Sequence, residues 1–177
     1  MNETFLQKCG YDVVDTCEVR GIAYEQLDPE VRGGVRNADP TVWTVLECVA
    51  RLYRAHCARL EPHRDHVGVI HSGSAYPKAT AQRVMADLNR SGRVSPAAFI
   101  NANAGAALAI CCTRFGFRGP TMNLTMPATD ARALVDMLAT RWLRQENARY
   151  LILIAADFDP SGQVQVTGTL IEKPDHG

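Results

Sequence analysis

Few of the side chains able to do chemistry in this 177-residue chain stand at a spacing that chemistry needs. His71 directly precedes Ser72, which could suggest a nucleophile and its base. Neighbours on a strand point to opposite faces, however, and no G-x-S-x-G elbow surrounds the serine, so the pair reads as a strand-end turn. His63, Asp65 and His66 could bind a metal, but no cysteine lies at ligand spacing from them. A solvated loop is expected there, and no metal site. Cys111 and Cys112 could form a reactive thiol pair, yet on an alanine-rich helix they read as buried or half-buried spacers. The remaining cysteines are Cys9, Cys17, Cys48 and Cys57. No C-x-x-C unit occurs, and all six are expected to stay thiols in a reducing cytosol, as small buried hydrophobes.

Composition narrows the classes further. The hydrophobic fraction is 46% and the charged fraction 21%, which suits one soluble globular domain spanning residues 1–177. Nineteen basic residues balance nineteen acidic ones, so no global field would draw nucleic acid or an anionic membrane. The opening MNETFLQKCG lacks the apolar core of a signal peptide, and a cytoplasmic location is expected. From Val94 to Thr113 no residue is charged, long enough to raise the question of a membrane span. Pro96, Asn101, Asn103 and the many alanines make it a buried strand-and-helix segment instead. No cofactor is expected.

The periodicity then sets out elements able to carry a site. Asp12–Ile22 is β-branched and predicts a strand, and Asp28–Pro40 a loop. Val42, Val45, Leu46, Val49, Leu52, Tyr53 and Leu60 recur every three or four residues, predicting an amphipathic helix over 41–60 that ends at Glu61-Pro62. His66–His71 reads as a short strand and Tyr76–Asn89 as a helix closed by Ser91-Gly92. A small-residue helix is expected over 104–115, a strand over 121–126, and a helix over 130–145 with Ala131, Leu134, Val135, Leu138 and Trp142 inward. Tyr150–Ala156 is nearly continuously apolar, the pattern of a strand covered on both faces. After the turn Asp159–Gly162, Gln163–Lys173 alternates as an edge or near-edge strand. Strands alternating with helices predict an α/β layer fold around a mixed sheet.

The ordered motifs in His66–Met126 go beyond class. Val67-Gly68-Val69-Ile70, Val94-Ser95-Pro96 with Phe99, the alanine-rich helix and Phe115-Gly116-Phe117-Arg118-Gly119-Pro120 follow in sequence. Together with the Tyr150–Asp157 strand, they resemble the N-terminal half of the thiolase-fold β-ketoacyl synthases, over about Thr41 to Asp157. The resemblance implies half of a thiolase-like fold: a mixed, mostly parallel sheet with helices on both faces.

The departures from that family are as informative as the matches. In the synthases the strand after R-G-P runs into T-A-C-[SA]-[SG], whose cysteine is acylated. Counting from Gly119-Pro120, Ala128, or its neighbour after a one-residue shift, stands at that position, and an alanine methyl forms no thioester. Thr129 or Asp130 is placed to cap the following helix, and a carboxylate there would disfavour a thiolate. The family's catalytic histidines come from a C-terminal half that this sequence does not contain. His56, His63, His66, His71 and His176 fall at none of the family's positions.

The resemblance implies a truncated ketosynthase-like domain without its nucleophile. The function expected is that of a chain-length-factor-like subunit paired with an active ketosynthase, in type II polyketide, aryl-polyene or fatty-acid-type biosynthesis. By resemblance, Thr121, Met122, Asn123, Leu124 and Thr125 would continue a sheet across a dimer interface, with Gly105, Ala109 and Phe115 beside them. Arg114 and Arg118 could meet the phosphate of an acyl carrier protein, although an arginine before Gly-Pro is routinely structural. A half-fold would also leave apolar surface for a partner to cover. Two alternatives remain open: an acyl-thioester decarboxylase, hydrolase or transferase using Asn101, Asn103 or His71, and a homodimeric scaffold or acyl-binding protein.

Overall fold

The computed structural model describes residues 11–173. Strand β1 (Asp12–Arg20) opens the fold, and an irregular stretch leads to helix α1 (Pro40–Ala55). Pro40 suits the first helical position, and Asp39 caps the helix by accepting a hydrogen bond from the Thr41 amide at 3.0 Å. The helix expected to reach Leu60 breaks at His56, which leaves helical geometry at φ −125° and ψ 23°. There the imidazole Nε2 lies 2.9 Å from Asp15 Oδ2 on β1, and the chain restarts as the single turn α2 (Cys57–Leu60). Strand β2 (Val67–Ser72) follows, then α3 (Lys78–Ser91), α4 (Pro96–Asn101), α5 (Ala106–Phe115), β3 (Thr121–Leu124), α6 (Ala128–Arg144), β4 (Tyr150–Phe158) and β5 (Val164–Glu172). The periodicity gives no sign of α4, because none of its residues is buried.

The five strands form one sheet in the order β1-β5-β4-β2-β3. Strand β2 runs parallel to β3 and β4, whereas β5 runs antiparallel to both β4 and β1. Four strands therefore share one direction, the mixed and mostly parallel sheet that was expected. Strand β5 stands one place in from the edge. Leu151 to Ile154 of β4 are almost wholly buried, as a strand covered on both faces must be.

Two cores flank the sheet. Val42, Val45, Leu46 and Val49 of α1, with Ala107, Leu108 and Cys111 of α5, pack on Ile152, Ile154, Val166 and Leu170. On the other face Ala131, Val135, Ala139 and Leu143 of α6 pack on Ile70, Leu151, Leu153 and Ile171. Of the α6 residues expected inward, Leu134, Leu138 and Trp142 are only half-buried. The buried stripe is turned toward Ala139 and Leu143 instead. Cys48 and Cys111 are buried, and burial pushes both thiols well up; Cys112 is pushed up to about 11. Cys57 is exposed, contrary to expectation, because the break at His56 carries it off the apolar stripe. Cys9 and His176 lie outside the described residues.

Candidate functional site

The parallel strands bring their C-terminal ends together beside the start of α6. There the loop after β2 threads between two other strand ends: the Gly73 amide donates to Leu124 O at 3.2 Å and the Ala75 amide to Ala156 O at 3.0 Å. Gly73 holds φ +152°, and a Cβ on it would sit 1.8 Å from the Ala156 carbonyl oxygen. Only glycine fits there. The passage sets Ser74 against Asp157, whose Oδ1 accepts from the Ser74 amide at 2.7 Å and from its hydroxyl at 2.6 Å.

The other oxygen of Asp157 reaches α6. Oδ2 accepts a hydrogen bond from the Ala128 amide at 3.1 Å. This corrects the expectation for Thr129 and Asp130: the N-cap is Pro127 with no side-chain cap of its own, and the Thr129 hydroxyl donates sideways to Asp130 at 3.2 Å. The carboxylate serving the helix start comes from β4, 29 residues along the chain. Its negative charge meets the positive end of the helix dipole. The electrostatic place a thiolate would take at a helix start is thus filled by a fixed carboxylate, beside a methyl group that cannot attack.

From Ala128 a cleft of about 280 Å³ runs along α6. It is lined by Ser72, Thr129, Arg132, Val135 and Asp136, with Leu153, Ile154 and Ala155 of β4. Arg132 Nε stands 3.9 Å from Asp136 Oδ2, and burial raises the Asp136 carboxyl above its ordinary range.

His71 and Ser72 do not cooperate, as alternation along a strand requires. Ser72 Oγ donates to Ile154 O at 3.3 Å, whereas His71 Nδ1 lies 2.6 Å from Asn123 Oδ1 on β3. Asn123 can only accept through that oxygen, so Nδ1 carries the proton. His71 Nε2 is buried without a hydrogen-bond partner, and burial lowers the pKa of the ring. Unfolding frees the imidazole to bind a proton near its ordinary pKa of about 6.5. The unfolded state therefore binds more protons below that value, and stability falls as pH falls. A urea midpoint lower at pH 5 than at pH 7, with a smaller drop in His71→Gln, is the expected result; equal drops in both proteins would refute the assignment.

The other candidate residues are held apart. Asn103 Oδ1 accepts from the Gly105 amide at 2.8 Å ahead of α5, and Asn101 is half-buried near Gly33 and Ala109. Thr121, Met122 and Thr125 are exposed and Asn123 and Leu124 half-buried along the open edge of β3; Ala109 is exposed and Gly105 half-buried. Phe115 is a correction: it is 5% exposed, its ring centroid 5.0 Å from that of Tyr53 and 5.5 Å from that of Phe117, so it builds core and not surface. Arg114 donates to Gly33 O, and Arg118 pairs with Asp65 at 3.3 Å while its amide donates to Arg64 O. Both arginines lie toward the start of β2, a strand length of about 20 Å from Ala128. Among the described residues no three or more His, Cys, Asp or Glu side chains could hold a metal ion, and no helix is long and apolar enough to cross a membrane.

Exposed apolar residues are unevenly spread. Met85 and Leu88 of α3, Phe99 and Ile100 of α4, and Met122 and Met126 at β3 are all at least 37% exposed. The α6 face of β1 and β5, by contrast, carries Thr16, Glu18, Arg20, Gln165 and Thr167, with Gln165 donating to Glu18 at 2.9 Å. Apolar surface is therefore exposed on α3, α4 and β3, with Met137 of α6 also 56% exposed, whereas the α6 face of β1 and β5 is polar.

No protein-family model matches the sequence. No curated protein matches it either. Solved structures do match in shape. A ketosynthase (ApeO) in complex with its chain length factor (ApeC) from Xenorhabdus doucetiae gives a TM-score of 0.63 at 12% identity, over 93% of this chain and 79% of that one. The ishigamide ketosynthase/chain length factor gives 0.69 at 16% identity, over 89% and 49%. The AntDE:AntF complex, a type II acyl-carrier protein with its ketosynthase, gives 0.70 at 11% identity, over 88% and 52%. The chain spans about half the length of the latter two. It is built as one half of the thiolase-like fold that ketosynthase and chain-length-factor chains share.

Proposed function

We propose that this chain is a non-catalytic, chain-length-factor-like subunit that pairs with an active ketosynthase in type II polyketide, aryl-polyene or fatty-acid-type biosynthesis. One observation carries the reading. At the start of α6 the chain has Ala128 in place of a nucleophile, and its amide is bound by the Asp157 carboxylate. A frame kept without its attacking group serves through contact. The exposed apolar residues of α3, α4 and β3 supply a surface for that contact, and the match to a ketosynthase–chain length factor complex supports such a pair.

The edge of β3 is the element through which pairing would run. Pro120 O and Leu124 O accept bonds from β2, so in a parallel ladder the amides of Thr121 and Asn123 face outward. They offer a template for a partner strand. Asn103 and His71 are tied to Gly105 and Asn123, and Asn101 lines a different hollow with Gly33 and Ala109, so an acyl-thioester enzyme has no converging set to draw on. An acyl carrier protein is the third component of the proposal, with Arg114 and Arg118 as its candidate contacts. The proposal places the complex in the cytoplasm.

Co-expression with the ketosynthase encoded nearby should give a stable one-to-one heterodimer by size-exclusion chromatography with light scattering. An obligate interface of this kind buries on the order of 2,000 Å² or more. Thr121→Pro removes one outward amide while leaving the bonds to β2, and should abolish pairing with the monomer still folded. Independent elution at micromolar concentration, or a homodimer that persists with the ketosynthase present, would overturn the proposal.

A further inference from the structure

Two cysteines that are distant in sequence meet between the first strand and the first long helix. Cys17 of β1 and Cys48 of α1 are 31 residues apart. Asp15, Cys17 and Val19 alternate onto the α1 face of β1, and Cys17 packs there against the cluster that contains Cys48. The Cys48 thiol donates to the Cys17 carbonyl oxygen at 3.6 Å. It also interacts directly with the Cys17 thiol: burial first, and the Cys17 sulfur second, push the Cys48 thiol up.

Gly168 makes room for this meeting. It stands opposite Cys17 in the ladder between β1 and β5. A Cβ at 168 would lie 2.8 Å from Cys48 Sγ, so the sulfur occupies the space a side chain would take. The two thiols differ in access. Cys48 is 0% exposed, whereas Cys17 is half-buried on a strand at the edge of the sheet. A small oxidant therefore reaches Cys17 first, with Cys48 waiting behind it.

We infer that Cys17 and Cys48 are a redox pair, which a hydroperoxide joins as a disulfide fastening β1 to α1. In the first step the Cys17 thiolate attacks the peroxide, the O–O bond breaks, and a sulfenic acid forms with release of water or an alcohol. The Cys48 sulfur then attacks that sulfur. The S–S bond forms, the S–O bond breaks, and the departing hydroxide takes the Cys48 proton as a second water. Two thiols are oxidised and one peroxide is reduced. In a reducing compartment the link is transient, because a thiol reductant undoes it. This chemistry is independent of pairing with a ketosynthase.

The reduced full chain, treated with hydrogen peroxide, denatured and blocked with iodoacetamide, tests it. Two of the six thiols should escape blocking. Cleavage at aspartate and arginine separates Cys17 from Cys9 and Cys48 from Cys57, and should release a linked Cys17–Cys48 peptide. The urea midpoint of the linked protein should rise by about 1 M and return with dithiothreitol. Cys17→Ser should leave Cys48 reduced at the same dose, and Cys48→Ala should leave a sulfenic acid on Cys17 that dimedone traps. Cys48 linked to Cys57 or Cys111, both thiols still reduced at a dose that oxidises the exposed Cys57, or a linked chain with an unmoved midpoint would each overturn the inference. If a variant does not fold, the peptide map and midpoint of the unaltered chain decide alone.

Discussion

Gly73→Ala is expected to leave no cooperatively folded protein. A Cβ at this position would lie 1.8 Å from the Ala156 carbonyl oxygen and 2.5 Å from its carbon, and both are backbone atoms of the central strand β4. No rotamer change relieves such a clash, because the opposing atoms are held by the ladder between β4 and β5. The positive φ adds strain that only glycine avoids. Together these exceed the roughly 4–5 kcal/mol that marks an exceptional substitution, against a total stability of about 5–15 kcal/mol. Gly92→Ala is the control, since its φ is also positive but nothing lies within 4 Å of the added methyl. Its cost should be about 1 kcal/mol. Urea titrations followed by circular dichroism compare the two; a Gly73→Ala chain within about 1 kcal/mol of the parent would show that the passage between β3 and β4 gives way.

The second large effect concerns position 128, where the proposal places an absent nucleophile. Ala128→Cys puts a thiol at the start of α6, where a helix dipole ordinarily lowers its pKa. Here the same helix start is already bound to Asp157, and a thiolate would form next to a carboxylate. At about 5 Å and an effective dielectric of about 20, that repulsion is of order 3 kcal/mol, or roughly two pKa units. The introduced cysteine is expected to react slowly with iodoacetamide at neutral pH. Adding Asp157→Asn should raise the rate at least about tenfold. Peptide mass spectrometry separates residue 128 from the exposed native Cys57, which serves as an internal reference. An Ala128→Cys thiol as reactive as Cys57 and indifferent to Asp157→Asn would remove the carboxylate from the account.

How much of this is legible in the sequence depends on the range of each interaction. Strand β4 is plain, because Leu151, Ile152, Leu153 and Ile154 are apolar in succession and a strand buried on both faces needs nothing else. Helix α1 is plain on its apolar side, but its break is not: the imidazole of His56 answers to Asp15, 41 residues earlier. The same limit hides the Asp157 contact with Ala128, for which Asp130 offers a nearer and wrong candidate. It hides too the carboxylate of Asp39, which accepts from Thr80 at 2.9 Å as well as from Thr41 and so fastens α3 to α1. Asp136 sits in an ordinary helical pattern, and only the packing of α6 on β4 shows that it borders a cleft. The resemblance to the synthases came from motifs in order, and shape comparison carries it at identities of 11–16%.

Strand β5 lies between β1 and β4, so the first strand has no neighbour in the sheet until the last one is made. Asp12 meets Glu172, and Val19 meets Val166. At about 5–20 residues per second, a ribosome takes roughly ten to thirty seconds to cover that interval, during which the nascent first strand offers unsatisfied backbone groups to any chaperone or stray strand nearby. Pairings of such sequence separation also slow refolding from denaturant.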